Sequence, residues 1–279
     1  MIAENKDAKT VEGFGDEWSR FDQSELRAEE LNGLFESYFW IFPWNELPEN
    51  PRGFDLGCGS GRWAKCVAGR VGKLHCIDAS ADALGVARRN LSRVENCEFH
   101  HASLDSIPLE DASMDFGYSL GVLHHVPDTA RGIKACVEKL KPGAPFLVYL
   151  YYAFDNRPSW FRAVWKAADR VRKTTSRLPY PLRYGVSQAI AASVYFPLAR
   201  TARIVEKLGA DPTLVPLSFY RDRSFYTMRT DALDRFGTRL EQRFTEREIR
   251  SMMETAGLER IRFSPSAPYW CAVGRKVGK

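Results

Sequence analysis

Four short stretches of this chain hold residues whose types and spacing could do chemistry. The stretch Asp55-Leu56-Gly57-Cys58-Gly59-Ser60-Gly61 sets three glycines at alternate positions behind a carboxylate. Such bare backbone can turn through positive φ and approach a ligand closely. It also runs into a helix start, whose N–H groups add a positive dipole. Asp78 ends the next apolar strand, and a carboxylate there suits a vicinal diol. His124 and His125 are two of only five histidines, and an imidazole moves protons near neutrality. The stretch GFGDEWSRF (13–21) flanks Phe14 with glycines and places Trp18 four residues on. An aromatic pair on a hinge could close over a site and face a cation; the competing reading is an N-terminal helix packed on a sheet edge.

These residues need a rigid frame. From about residue 52 to 152, short apolar runs alternate with helix-length segments. Arg52 to Leu56, Lys73 to Ile77, Cys97 to His101, Met114 to Leu120 and PFLVYLYY read as five strands. Ser80 caps the helix ADALGVARRNL, and Lys141-Pro142-Gly143 stops the amphipathic helix 128–140. This alternation predicts a parallel sheet covered on both faces, with right-handed crossovers. Residues 157–209 read as two long helices, broken at Pro179 and Pro181 and kinked at Pro197, and SFYRDRSFYTMRTDALDRFG (218–237) as a loop-like segment. Thr245 and Glu248 form a capping box, Gly257 closes that helix, and Leu258 to Phe263 with Tyr269 to Gly274 make an antiparallel strand pair. The fold class is therefore α/β: a doubly wound, seven-stranded, mostly parallel sheet with an antiparallel C-terminal strand pair and a helical insertion between strands five and six.

Composition sets the outer bounds. The 279 residues are 44% hydrophobic and 27% charged, as expected for a globular protein with a buried core. The start MIAENKDAKT has no apolar h-region, so no secretory signal is expected. The longest apolar run, 189–199, contains Pro197 and falls far short of the roughly 20 residues of a membrane span. The six cysteines are scattered without a Cys-x-x-Cys pair, which reads as reduced packing residues of a cytoplasmic protein, with no metal site.

The glycine loop alone is only suggestive. In order and spacing, however, FDLGCGSG, LHCIDAS, SIPLEDASMDFGYSLGVLHHVPD and KLKPGAPFLVY resemble the class I S-adenosylmethionine (SAM) dependent methyltransferase family, bacterial small-molecule type. The resemblance runs from about residue 52 to 152 and resumes in the C-terminal helix and strand pair. It implies SAM as cofactor, S-adenosylhomocysteine as product and no metal. It implies that Asp55, Gly57, Cys58, Gly59 and Gly61 surround the methionine part and near ribose. Asp78 would bind the ribose hydroxyls, and Ala79 and Ser80 would line the adenine. The family often places an Asp five residues before the Pro of its "LP" element; here that position is Ser103, followed by Leu104, so adenine recognition would rest on that hydroxyl and on backbone groups. Ser119 and Leu120 would lie under the methionine arm, and Phe14 and Trp18 would cover the cofactor. On this basis the chain divides into an N-terminal helical lid segment (1–50), a SAM-binding core (51–152), an insertion capping the acceptor (153–244) and a closing helix and strand pair (245–279).

Methyl transfer from a sulfonium needs a positioned acceptor and, for a hydroxyl, a base. His124 is the first choice and His125 the second, against a packing role for the pair. The insertion should choose the acceptor. Between 157 and 207, eleven Lys or Arg face only Asp169 and Glu206, with aromatics interleaved. A solvated basic face is the plain reading; the sharper ones are a phosphate-bearing acceptor, an anionic membrane surface or a nucleic-acid groove. Tyr152, Arg221, Arg223 and Tyr226 are candidate acceptor contacts, with salt bridges to Asp222 and Asp231 as the alternative. The leading expectation is thus an enzyme methylating an oxygen of a small-molecule or lipid-linked acceptor, in the cytoplasm or peripherally at the inner face of the membrane. The alternatives are an RNA methyltransferase, supported only by the basic insertion, and a non-catalytic SAM-binding scaffold. A dehydrogenase fails on the glycine spacing, since a dinucleotide loop reads G-x-G-x-x-G.

Overall fold

The computed structural model describes residues 4–278, so the first three residues of the expected lid segment and the last residue of the closing segment lie outside the described residues. Two helices, α1 (Ala8–Arg20) and α2 (Ala28–Phe39), precede the sheet. Then follow β1 (Arg52–Leu56), α3 (Arg62–Val67), β2 (Lys73–Asp78), α4 (Ala81–Asn90), β3 (Cys97–His101), β4 (Phe116–Leu120), α5 (Thr129–Lys139) and β5 (Pro145–Tyr149). The insertion carries α6 (Ser159–Thr175), α7 (Tyr180–Ile190), α8 (Phe196–Lys207) and α9 (Phe225–Gly237), and the chain closes with α10 (Glu246–Thr255), β6 (Leu258–Phe263) and β7 (Cys271–Lys276).

The seven strands lie in the order β3-β2-β1-β4-β5-β7-β6. β1 to β5 pair in parallel, and β7 runs antiparallel to both β5 and β6, as expected. The central strands are apolar runs because helices cover both faces: all five residues of β4 are buried. β1 and β4 interlock. A Cβ on Gly53 would fall 2.2 Å from the Phe116 ring, and one on Gly117 would fall 2.3 Å from the Phe54 ring. Strand order reverses between β1 and β4, so their carboxyl ends open a crevice, the place where such sheets bind ligands.

Several boundaries differ from the sequence reading. Met114 makes only an isolated bridge to Leu140, and β4 begins at Phe116. β5 stops at Tyr149, and Tyr152 instead bridges Phe244 in parallel. The last strand is shifted to Cys271–Lys276. The loop-like segment is a helix over half its length: Ser224 caps α9 by accepting from the Thr227 N–H, and Met228, Ala232, Leu233 and Phe236 bury one face. Its arginines and aspartates masked that stripe. The kink near Pro197 takes the form of a π turn over Ala191–Tyr195, widening the ladder just ahead of a residue with no N–H to donate.

The chain forms two compact units. One comprises residues 4–23, 32–155 and 240–278 and holds the sheet; the other comprises 24–31 and 156–239. The core of the first gathers Phe54, Leu56, Ile77, Leu123, Ile133 and Phe146 among others. That of the second gathers Ala191, Tyr195, Ala199, Tyr220, Met228, Ala232 and Phe236. Within the second unit, buried Arg172 pairs with Asp169 and donates to the Thr238 and Arg239 carbonyls, so its charge is satisfied.

Candidate active site

At the carboxyl end of β1 the backbone doubles back. Gly57, Gly59 and Gly61 have φ of +75°, +53° and +77°, values that glycine alone adopts without strain. Space is equally strict at all three, a Cβ on Gly61 falling 2.9 Å from the Leu91 side chain. A Cβ on Gly57 would lie 2.3 Å from the Val122 side chain, and one on Gly59 would lie 2.9 Å from Trp18 Nε1. The loop is held by the end of β2. The Gly57 and Cys58 N–H groups donate to the Ile77 carbonyl at 2.7 and 3.1 Å, and the Gly59 N–H donates to Asp78 Oδ2 at 2.8 Å. The other oxygen, Oδ1, accepts from the Ser80 N–H at 2.8 Å. Burial raises the Asp78 carboxyl above its ordinary range, while those backbone N–H groups act in the opposite direction. Asp55 lies beneath the loop at 1% exposure. Burial raises its carboxyl well above the usual range, partly offset by the facing Tyr118 hydroxyl.

The residues along this crevice enclose a cavity. Its walls include Leu56 to Ser60, Ile77 to Ser80, Ala102 to Leu104, Leu120 to Val122 and His125. One side is α1, the element that sequence reasoning left between a lid and a sheet-edge helix. It is a helix, and it lies across the glycine loop. Phe14 and Trp18 both line the cavity, and the Phe14 ring meets His125 edge-on at 5.0 Å. Gly15 allows the close approach, since a Cβ there would fall 2.9 Å from Ser80 Oγ. Asn5 latches the segment ahead of α1. Its Nδ2 donates to the Asp128 carbonyl, its Oδ1 accepts from the Asp128 N–H, both at 2.8 Å, and its own N–H donates to Asp105. Asn5 carried no sequence signal, because its partners lie 100 and 123 residues away.

The two histidines differ in environment. His125 lines the cavity, and its Nδ1 lies 2.6 Å from the Leu240 carbonyl. A carbonyl only accepts, so Nδ1 carries the proton, and in the neutral ring the lone pair is on Nε2. Leu240 belongs to the segment returning from the insertion, where Gln242 donates to the Val126 and His124 carbonyls. His124, the expected first choice, is fully buried, stacked on Tyr151 at 3.9 Å, and absent from the cavity wall. Burial, with the charges of His125 and Arg243, holds it well below the usual imidazole range. Neither of its ring nitrogens has a hydrogen-bond partner among the described residues.

Comparison with known proteins agrees with this geometry. Residues 54–148 match the family model described as a methyltransferase domain. That segment belongs to the class I SAM-dependent methyltransferases. Among curated relatives, a ubiquinone biosynthesis O-methyltransferase of Aromatoleum aromaticum is 35% identical over 94 residues, 33% of this chain and 40% of the relative. A phosphoethanolamine N-methyltransferase of Caenorhabditis elegans is 31% identical over 100 residues, 35% of this chain and 23% of the relative. The matches thus span less than half the length of these relatives. Human N-acetylserotonin methyltransferase, solved in complex with SAM, shares the fold at TM-score 0.54 and 17% identity, over 95% of this chain and 57% of that one.

The methyltransferase domain brings most of the expected cofactor residues to one wall: Gly57, Cys58, Gly59, Asp78, Ala79, Ser80, Ser103, Leu104 and Leu120 all line the cavity. Three do not. Asp55 is buried under the loop, Gly61 caps α3, and Ser119 Oγ donates to the Leu56 carbonyl inside the sheet. Of the expected acceptor contacts, Tyr152 packs its ring on Phe154 and Tyr269. The other three belong to the second unit and are engaged there. Arg221 pairs with Glu206 and Asp222, Arg223 lies over Phe219, and Tyr226 is buried in α9. Sequence reading missed the Asn5 latch and the 240–244 return.

Proposed function

We propose that this chain is an enzyme that transfers the methyl group of SAM to an oxygen of a small-molecule or lipid-linked acceptor, with His125 Nε2 taking the acceptor proton. The cavity residues fit the cofactor. Each Asp78 oxygen already accepts one backbone N–H and keeps a lone pair for a ribose hydroxyl. Ile77, Ala102 and Leu104 offer apolar surface for a base, and the aromatic faces of Phe14 and Trp18 favour a cation. SAM supplies a methyl group already activated by its sulfonium, leaving S-adenosylhomocysteine. The protein's tasks are then to orient the acceptor, exclude water under α1 and hold a proton at His125.

The observation that carries the base assignment is the 2.6 Å contact of Nδ1 with the Leu240 carbonyl, which fixes the tautomer. Calorimetry with SAM, S-adenosylhomocysteine and NAD tests the cofactor reading: micromolar binding of the first two and none of NAD is expected. Binding of NAD instead would overturn it. A screen of acceptors with labelled methyl donor then separates an enzyme from a scaffold. Asn5→Ala should weaken SAM binding by about 1–2 kcal/mol, because two hydrogen bonds holding α1 closed are lost. Unchanged affinity in the same titration would mean that α1 is not a functional lid.

A lipid-linked acceptor would bring the chain to a membrane surface. No helix among the described residues is long and apolar enough to cross a membrane. On α6, however, Trp160, Val164, Ala167 and Val171 form one exposed stripe at helical spacing, and exposed Arg162, Lys166, Arg170 and Lys173 flank it. Nucleic acid would use the cations and leave the valines in water, whereas an anionic bilayer uses both. Sedimentation with vesicles rich in phosphatidylglycerol should carry the protein down, and Lys166→Glu with Arg170→Glu should release it. The six cysteines are all free, which supports a reducing, cytoplasmic setting.

A further inference from the structure

Away from the cavity, the pairing of β2 with the edge strand β3 assembles a group that no spacing in the sequence suggests. His75 stands opposite Glu98 in the parallel register, and Ile77 stands opposite His100. Side chains on a strand alternate between faces, so His75, Glu98 and His100 share one face. His75 Nδ1 and His100 Nε2 are 3.0 Å apart. Glu98 Oε2 lies 3.8 Å from the first nitrogen and Glu98 Oε1 lies 3.6 Å from the second. One ligand atom from each of the three residues lies within 4.8 Å of the others, close enough for a single ion at the roughly 2 Å bond length of zinc to nitrogen and oxygen.

We propose that His75, Glu98 and His100 bind one divalent transition-metal ion of the class that prefers imidazole, zinc being the representative, and that the ion clamps β3 to β2. Two nitrogens and one carboxylate select such an ion over magnesium or calcium, which take oxygen. Three protein ligands leave a coordination position for water. Access is open: the Glu98 side chain is 46% exposed, and a surface cavity walled by Lys73, Glu95, Asn96 and Glu98 opens beside it. Lys73 Nζ pairs with Glu98 at 2.5 Å and opposes the ion, but its half-exposed side chain can turn to solvent. None of the three ligands lines the methyl-transfer cavity. The strands they join do reach it, through Asp78 at the end of β2 and Ala102 just after β3.

Calorimetry of the chelator-treated full chain with zinc chloride should show one saturable equivalent and a rise in melting temperature. Glu98→Gln and His100→Ala should each weaken binding by at least the roughly tenfold that loss of even an outer partner costs, and Lys73→Ala should tighten it. The cobalt-loaded protein should lack a thiolate charge-transfer band, which separates this site from any cysteine site. No saturable binding, or equal binding in two folded ligand variants with unchanged melting temperatures, would overturn the assignment.

Discussion

His125→Asn should lower turnover about 10²–10⁴-fold, the range typical of a lost general base, while SAM binds as in the parent. The asparagine amide can still donate to the Leu240 carbonyl, which now receives Nδ1–H at 2.6 Å, so the 240–244 return segment keeps its anchor. What disappears is the ring nitrogen proposed to take the acceptor proton. A matched control is His124→Phe. His124 is stacked on Tyr151 and fully buried, and a phenyl ring preserves that packing without leaving an unpaired nitrogen. Turnover should survive it. Single-turnover kinetics with labelled SAM read both variants, and equal methyl-transfer rates in the parent and His125→Asn would remove His125 from the chemistry.

Asp78→Ala should raise the dissociation constant for SAM by about 1–3 kcal/mol, roughly five- to 150-fold. Two effects add in the same direction. The ribose loses a charged acceptor, and the Gly59 and Ser80 N–H groups lose the oxygens that hold them at 2.8 Å. Gly59 is at φ +53° and faces Trp18, so its release loosens both the loop and the cover above it. Asp78→Asn isolates the second effect. It keeps one acceptor oxygen but turns an NH₂ group toward a backbone N–H, so it should approach the alanine variant. Calorimetry decides: parental affinity in both variants would place the ribose elsewhere.

Much of this molecule was legible in the chain because its signals are local. A strand-loop-helix with glycines at alternate positions, a capping residue at Ser80 and a capping box at Thr245 each depend on residues within a few positions. The parallel core and the antiparallel closing pair followed from apolar runs and their spacing. α9 was missed because arginines and aspartates interrupt its apolar stripe, and its burial depends on contacts with α7.

By itself, the sequence determined the fold class and the glycine loop, since backbone conformation and the alternation of strands with helices follow from local residue type and hydrophobic period. The family resemblance named further wall residues such as Asp78 and Leu104, but not Leu56, Ile77 or Ala102. Only the tertiary structure decided which histidine meets the cavity, because that choice depends on Leu240, more than a hundred residues away. It also decided that α1 covers the loop through Asn5, and that His75, Glu98 and His100 converge through strand register. Contacts of long sequence separation leave no periodicity along the chain, and they exist only once the sheet has closed.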